Sequence, residues 1–446
     1  MSVLKTFKLG GVHPAENKIS ADKVIEVMEL PVQAIIPLNQ NLGAPANAIV
    51  AKGDTIKVGQ MVAKGEAFIS SNIHSSVSGK VLKFDNIMET SGYKRPCMVV
   101  NVDGDEWEES VDRSDVVKKD VNLSKKEIIE KMKEMGIVGL GGATFPSHVK
   151  LMVPKGKTPE VLLINGVECE PYLTSDHQLM MSKGEEIIIG TKILMMGLGV
   201  HKAFIGIENN KPDAIKHMKE IATNYEGIEI TPLKVKYPQG GEKQLIKAVI
   251  NREVPSGKLP IEVGAVVNNV GTAFAVYEAV QKNKPLLERI VTVTGKSVKN
   301  PSNYLVRIGT PVNQLIEKAG GLPEDTGKII SGGPMMGRAL ISLETPVVKG
   351  TSGILIMRKN ESVRIAPEPC LRCGRCVTVC PMGLEPILLA QLAKQEMWDE
   401  AEKENLMDCI ECGSCHYTCP SSRPLLDYLR LGKGKVSLII RNRGKN

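Results

Sequence analysis

Apolar and polar positions follow three different rhythms along the 446-residue chain. Up to about residue 110 the apolar runs are short, as at Ile35-Ile36 and Met98-Val99-Val100. Turn pairs such as Gly53-Asp54, Val58-Gly59, Lys64-Gly65 and Ser78-Gly79 interrupt them. Short runs cut by glycine turns predict a small β barrel or sandwich. From about 120 to 285 the period changes. Ser124 with Glu127 has the spacing of a capping box, and Gly136 can close the helix it opens. Strands are predicted at 161–164, 203–207 and 228–235, and helices at 185–198, 212–223 and 242–250. Such alternation implies a parallel α/β sheet with right-handed crossovers. Between Arg289 and Leu322, a strand at 291–293 and a helix at 312–319 predict a small α+β unit. From Pro367 onward the chain reads as helical and cysteine-bearing. Its end, from Arg430 to Asn446, carries six basic residues and no acidic one. That pattern fits a frayed, solvated tail or one lying on an anionic membrane surface or a membrane subunit.

Composition narrows the function classes. Hydrophobic residues at 42% and charged residues at 24% are those of a globular protein. Aromatics at 4% are too sparse for base-stacking platforms, which argues against nucleic acid. A balance of 57 basic to 50 acidic residues does not by itself establish a polyanionic partner. No run reaches about 18 apolar residues, and Met1 to Lys18 has no apolar signal core. A cytoplasmic protein with at most peripheral membrane association is expected. Within the β-rich part, 58–65 followed by 76–81 resembles half of a biotinyl/lipoyl-type barrel-sandwich. Carrier domains present a modifiable lysine between those segments, but Glu66 to Ser75 contains none. A structural or docking role is left.

The cysteines carry the strongest signal. Eight of the ten lie between Cys370 and Cys419, and a disulfide framework is unusual in a large chain without an export signal. Cys370, Cys373, Cys376 and Cys380 form C-x2-C-x2-C-x3-C followed by Pro381. Cys409, Cys412, Cys415 and Cys419 repeat it before Pro420. In the two-cluster ferredoxin arrangement the fourth cysteine of each run ligates the other cluster. One [4Fe–4S] centre is therefore assigned to Cys370, Cys373, Cys376 and Cys419, and the other to Cys409, Cys412, Cys415 and Cys380. Structural zinc favours C-x2-C pairs separated by a longer loop, a poorer fit. Cys169 reads as a small buried apolar residue, His13 as part of a turn before Pro14, and Met195-Met196 and Met335-Met336 as packing residues.

A second constellation is rich in glycine. The stretch Val138-Gly139-Leu140-Gly141-Gly142-Ala143-Thr144-Phe145-Pro146 follows the capped helix and precedes a strand. Without Cβ atoms such a loop admits a phosphate or planar ring at close range, although G-x-G-G also marks plain turns and lacks the ordinary Rossmann spacing. Asn165-Gly166-Val167-Glu168-Cys169-Glu170-Pro171, Tyr237-Pro238-Gln239-Gly240-Gly241-Glu242 and Val267-Asn268-Asn269-Val270-Gly271-Thr272 each follow a predicted strand, where α/β sheets bind ligands.

In these four segments and their order, the chain closely resembles the NADH- and FMN-binding subunit of respiratory complex I and the electron-entry subunits of NAD-linked hydrogenases, over about 125 to 340. Adding Gly10-Gly11-Val12-His13-Pro14, the barrel-sandwich and the doubled cysteine motif, nearly the whole chain resembles the C subunits of Rnf-type complexes. Those are membrane-bound, ion-pumping ferredoxin:NAD+ oxidoreductases. The resemblance implies a Rossmann-like parallel α/β core with a barrel-sandwich at 1–115, the flavin domain at 116–285, and a β-grasp soluble-ligand-binding unit at 286–362. A helical two-cluster module at 363–428 and a basic tail at 429–446 complete it. It implies FMN held by Gly139, Gly141, Gly142, Lys150, Asn165, Glu168, Gly240, Asn268, Asn269 and Thr272, with Lys150 at the flavin phosphate. Phe145, Glu168 and Glu242 are implied on the NAD(H) side. Leu140, Val167 and Gly241 depart from complex I, which has Arg, Asp and an acid there. The expected function is electron exchange between ferredoxin and NAD+ through FMN and two clusters. The implied setting is the cytoplasmic face of the cell membrane, beside membrane subunits and a ferredoxin-like B subunit. A soluble hydrogenase subunit and a flavin-free relay remain as alternative readings. A quinone-linked relative fits less well, since it typically lacks the cysteine module.

Overall fold

The computed structural model describes residues 4–443. Its centre is an all-parallel sheet in the order Ile228–Leu233, Ala203–Glu208, Val161–Asn165, Ala265–Asn269. These strands are almost continuously apolar and buried, as a sheet covered on both faces requires. The helices Gly184–Leu198 and Val270–Gln281 pack so closely that a Cβ on Gly190 would lie 1.9 Å from the Ala273 carbonyl oxygen. From Val161–Asn165 the chain steps outward twice, then returns on the opposite side with Ala265–Asn269. The carboxyl ends of those two neighbours, with Asn165 in register with Asn269, therefore form the switch point where open α/β sheets bind ligands. The capping box forms as its spacing implies. The Ser124 backbone N–H donates to the Glu127 carboxylate at 2.7 Å, and the helix Lys125–Glu134 leads into Gly136.

A six-stranded mixed sheet follows in the order Ile25–Val27, Ser302–Arg307, Glu288–Thr294, Gly353–Arg358, Thr326–Ser331, Arg338–Ala339. Its first strand comes from the N-terminal segment, since Ile25–Val27 pairs in parallel with Ser302–Arg307. The preceding residues strap the α/β domain. Lys5 bridges Leu233, Val12 and Tyr237 exchange N–H···O bonds of 2.8 and 2.9 Å, and the Gly11 N–H donates to Val379. Pairing with partners more than two hundred residues away leaves no local signature. The barrel-sandwich proper consists of one antiparallel sheet of Gln33–Pro37, Lys94–Val102, Gly79–Met88 and Thr55–Ile56 and another of Asn47–Ala48, Met61–Lys64 and Ile73–His74.

A buried lysine fastens that domain to the flavin-type core. Lys349 Nζ donates to the Asn72 and Gly136 carbonyl oxygens, both at 2.7 Å, and to Ser71 Oγ at 3.2 Å. Burial pushes its ammonium down to about 7. Above that pH the folded chain holds a neutral amine while the unfolded chain stays protonated up to the ordinary lysine value. The unfolded state then binds the extra proton, so this group makes stability rise with pH between about 7 and 10. Between pH 7 and 9 the parent is expected to gain about 2–3 kcal/mol over Lys349→Met, read as the change in the difference between their unfolding midpoints.

The cysteine module is helical. Its core of Leu389, Leu392, Leu425, Leu429 and Val436 lies between Pro386–Lys394 and Leu425–Arg443. The expected basic tail is corrected here, because 429–443 continues a 19-residue helix. Leu425, Leu429, Gly432 and Val436 recur at helical spacing and are buried, while Arg443 pairs with Asp399 at 2.5 Å and Glu402 at 2.7 Å. Among the described residues no helix is long and apolar enough to cross a membrane.

Candidate functional site

The glycine loop is pinned at its base and open at its tip. The Gly139 N–H donates to the Phe145 carbonyl at 2.9 Å, Val138 bridges Pro146, and the Leu140 N–H donates to Thr272 Oγ1 at 3.0 Å. Gly141, Gly142 and Ala143 are exposed. A Cβ on Gly141 would come within 2.9–3.1 Å of the Asn269 amide, so glycine is required where the loop passes the sheet end. Thr144 completes the turn with a φ of 55°, a costly conformation for a β-branched residue.

The switch point brings the remaining polar groups together. Asn165 Nδ2 donates to the Gly240 carbonyl at 2.8 Å, and Asn269 Nδ2 donates to Asp176 at 2.7 Å and to the Asn165 carbonyl at 3.3 Å. Asn269 Oδ1 also caps the helix Val270–Gln281 by accepting from the Gly271 N–H at 2.7 Å. Lys150 Nζ donates to the Val267 carbonyl at 2.8 Å and lies 3.3 Å from Glu242. Asn268 is only 4% exposed, yet neither of its amide atoms has a partner. A buried amide left unpaired costs about 1–3 kcal/mol, so its presence at a ligand-binding edge marks a place for a polar ligand. The glycine cradle, the free amide and a cation at one sheet end fit a phosphate-bearing ring cofactor.

The Glu168 carboxylate is turned elsewhere. It accepts from the Asp176 N–H at 2.7 Å and the His177 N–H at 3.2 Å, capping the helix Ser175–Ser182. Burial, and then the Glu168 charge, push the Asp176 carboxyl up to about 6.

The cysteines form two nests built alike. Arg372 and Glu411 hold matching left-handed conformations, and each donates its N–H to the first cysteine of its run, Cys370 or Cys409, at 3.4 Å. Cys380 shares one cavity with Cys409, Cys412 and Cys415, among Pro381, Leu384 and Leu389. Burial pushes the Cys409 thiol up to about 11, and burial together with its cysteine neighbours raises Cys415 further. Thiolates gathered in so apolar a place need a cationic metal group to hold them. On the other side Cys376 lies beside Cys419. The Glu368 N–H donates to the Ser421 carbonyl at 3.0 Å, tying the lead-in of the first run to the end of the second. Cys370 and Cys373 are exposed, while Cys380, Cys412 and Cys415 are buried. One nest thus faces solvent and the other faces the α/β domain.

Residues that sequence reasoning did not select join the inner nest to the cleft. The Tyr237 hydroxyl donates to the Cys412 carbonyl at 2.8 Å, and Gln244 Nε2 donates to the Pro381 carbonyl at 3.1 Å. Glu170, the second acid of its motif, accepts from the backbone N–H groups of Met335 at 3.1 Å and Met336 at 2.7 Å. Burial pushes the Glu170 carboxyl up to about 7. Tyr237 and Glu170 stand in motifs already noted, so the signal was present. Cys169 is packed here too, with its Sγ accepting from the Gly240 N–H at 3.4 Å.

Comparison with known proteins agrees with this layout. Residues 132–278 match the Nuo51 FMN-binding domain and 5–105 the RnfC barrel sandwich hybrid domain. Residues 290–339 match the SLBB domain and 362–420 a 4Fe-4S dicluster domain. The chain is 47% identical over 438 residues to the C subunit of the proton-translocating ferredoxin:NAD(+) oxidoreductase complex of Clostridium ljungdahlii, covering 97% of this chain and 94% of the relative. It is 45% identical over 434 residues to the Na(+)-translocating counterpart of Acetobacterium woodii, covering 97% of each. The C subunit of an ion-translocating oxidoreductase complex of Rhodobacter capsulatus is 40% identical over 441 residues, with 97% of this chain and 84% of the relative covered. In fold, the chain is similar to an NAD+-reducing [NiFe]-hydrogenase in the H2-reduced state, with a TM-score of 0.51 and 18% identity. That likeness covers 70% of this chain and 63% of the hydrogenase chain, less than two thirds of its length.

Proposed function

The chain belongs to the C-subunit family of ion-translocating ferredoxin:NAD+ oxidoreductase complexes, and on that premise we propose that it is the subunit at which such a complex exchanges electrons with NAD(H). Its cofactors are FMN in the α/β domain and two [4Fe–4S] clusters in the C-terminal module. FMN, when bound, couples hydride exchange with NAD(H) to single-electron exchange with the clusters.

In this reading Gly139, Gly141, Gly142, Asn165, Gly240, Asn268, Asn269 and Thr272 cradle the flavin, and Lys150 supplies the cation for its phosphate. Glu168 acts by holding the helix Ser175–Ser182, and with it Asp176, against Asn269. Phe145 and Glu242 flank the NAD(H) side. Cys409, Cys412, Cys415 and Cys380 hold the cluster nearer the cleft, fixed there by Tyr237 and Gln244. Cys370, Cys373, Cys376 and Cys419 hold the outer one, whose exposed cysteines face a partner of the complex. We assign that partner to a ferredoxin-like B subunit, with reduced ferredoxin as the electron source and NAD+ as the acceptor. We place the chain peripherally at the cytoplasmic face of the membrane, held by membrane subunits.

The observation that carries the proposal is the segment 237–242, whose Tyr237 hydroxyl bonds the Cys412 carbonyl in a nest of four cysteines and whose Gly240 carbonyl accepts from Asn165 at the sheet end that holds the unpaired Asn268 amide. It also favours this reading over a flavin-free relay, which has no use for the Asn268 amide. An anaerobically purified chain is expected to contain about eight irons and about one FMN, and to lose cluster absorbance when NADH is added. A colourless or zinc-loaded protein would refute the proposal.

A further inference from the structure

The N-terminal strap runs along the loop that leaves the parallel sheet at Asn165. The Tyr172 N–H donates to the Glu16 carbonyl at 2.8 Å, and the Ser20 and Thr174 hydroxyls share a hydrogen bond of 2.7 Å. Between these ties, Lys18 Nζ donates to three carbonyls of the loop: Glu168 at 2.8 Å, Glu170 at 3.0 Å and Leu173 at 2.7 Å. All three ammonium protons thus go to neutral carbonyls and none to a carboxylate. Lys211 Nζ, in a side chain only 2% exposed, donates to the Val167 carbonyl at 2.8 Å.

A trans peptide points its N–H opposite its C=O. The C=O groups of Val167 and Glu168 are held by the two lysines, so the N–H groups of Glu168 and Cys169 point away from them. Neither N–H has a hydrogen-bond partner among the described residues. Glu168 keeps this arrangement with a left-handed φ of 48°, which is costly for a residue other than glycine and persists only where the surroundings impose it. The loop is also closed on Asn269. The Asn269 amide bonds the Asn165 carbonyl and Asp176, and the Asp176 N–H bonds the Glu168 carboxylate. Two free N–H dipoles backed by an ammonium therefore stand at the sheet end assigned to the flavin.

A hydride from NADH brings FMN two electrons and one proton, so the flavin gains one negative charge. Fixed N–H dipoles with a cation behind them favour that charged form over the oxidised one. We propose that Lys18 is a positioning residue for the flavin: it draws the loop carbonyls back, so that the N–H groups of Glu168 and Cys169, together with its own charge, favour reduced FMN. The strap thereby sets the midpoint potential of the cofactor. This rests on the preceding reading that FMN sits at this sheet end.

The test uses the full chain loaded with FMN and clusters, and reads the midpoint potential of FMN by anaerobic spectroelectrochemical titration at pH 7. Lys18→Met is expected to weaken the hold on reduced FMN, relative to oxidised FMN, by about tenfold or more, which lowers a two-electron midpoint by about 30 mV or more. Affinity for oxidised FMN and iron content should stay near parental values. Lys18→Arg keeps the charge and the donors and should keep the parental potential. Lys18→Gln keeps N–H donors without the charge and should shift the midpoint in the same direction as Lys18→Met, so it decides the question if the methionine variant does not fold. An unchanged midpoint in a folded, uncharged variant would overturn the inference. Equal weakening of oxidised and reduced FMN, or failure of both uncharged variants to fold, would overturn it in favour of a packing role. If the parent binds no FMN, the reading of the cleft fails first. If the parent binds FMN and the uncharged variants keep its potential, the inference alone fails.

Discussion

Cys380→Ala is expected to cut the iron content from about eight to about four per chain, and the cluster lost should be the one held by the second cysteine run rather than by its own. Cys380 is buried in one cavity with Cys409, Cys412 and Cys415, while Cys370 and Cys373 of its own run are exposed and do not line that cavity. Removing its sulfur leaves three ligands in an apolar nest, where open coordination invites loss of the metal. The nest that empties touches Tyr237 and Gln244, so NADH should no longer bleach the cluster that remains. Cys419→Ala should lose the same amount of iron and keep NADH bleaching, because it empties the outer nest. Iron analysis and anaerobic titration of the two variants therefore distinguish crossed from uncrossed ligation. If Cys380→Ala behaves like Cys370→Ala, the crossed arrangement is wrong, and with it the order of the clusters along the electron path.

What could be read from the sequence depended on how local its physical cause was. Strands such as Val161–Asn165 and Ala203–Glu208 announce themselves because a sheet buried on both faces needs unbroken apolar runs. The capping box is a four-residue event, and Glu242–Ile250 runs as its periodicity implies. Segments whose partners lie far away gave no such cue. Residues 4–28 look like irregular β-rich chain, yet they bond to Leu233, Tyr237, Val379 and Leu305. At the C-terminus the basic residues drew attention away from the spacing of Leu425, Leu429, Gly432 and Val436, which makes one packed helix of the supposed tail. The site divides in the same way. The glycine loop and the asparagine pair could be seen as motifs, but Glu170 and Tyr237 gain their roles from Met335, Met336 and Cys412, which only the fold brings near. The turn of Glu168 onto a helix N-terminus likewise depends on where Asp176 and His177 place their N–H groups.

Asn268→Leu should move stability and flavin affinity in opposite directions. With both amide atoms buried and unpaired, Asn268 burdens the flavin-free chain with a desolvation cost of about 1–3 kcal/mol. Leucine has a similar volume and no polar atoms, so the flavin-free variant should unfold later than the parent by a few degrees. The same change removes one donor and one acceptor from the cleft. It leaves ligand polar groups facing a hydrocarbon side chain, which should weaken FMN binding by about a hundredfold or more. The contrast with Asn269 makes the test specific. That neighbouring amide is already engaged with Asp176, the Asn165 carbonyl and the Gly271 N–H. Asn269→Leu should therefore lower stability and flavin affinity together. Equilibrium dialysis for FMN and thermal unfolding of the flavin-free proteins give the two readings. A destabilised Asn268→Leu chain that still binds FMN like the parent would show that the amide serves the fold rather than the flavin. The opposite signs would show a group held unsatisfied in the protein so that the ligand can satisfy it.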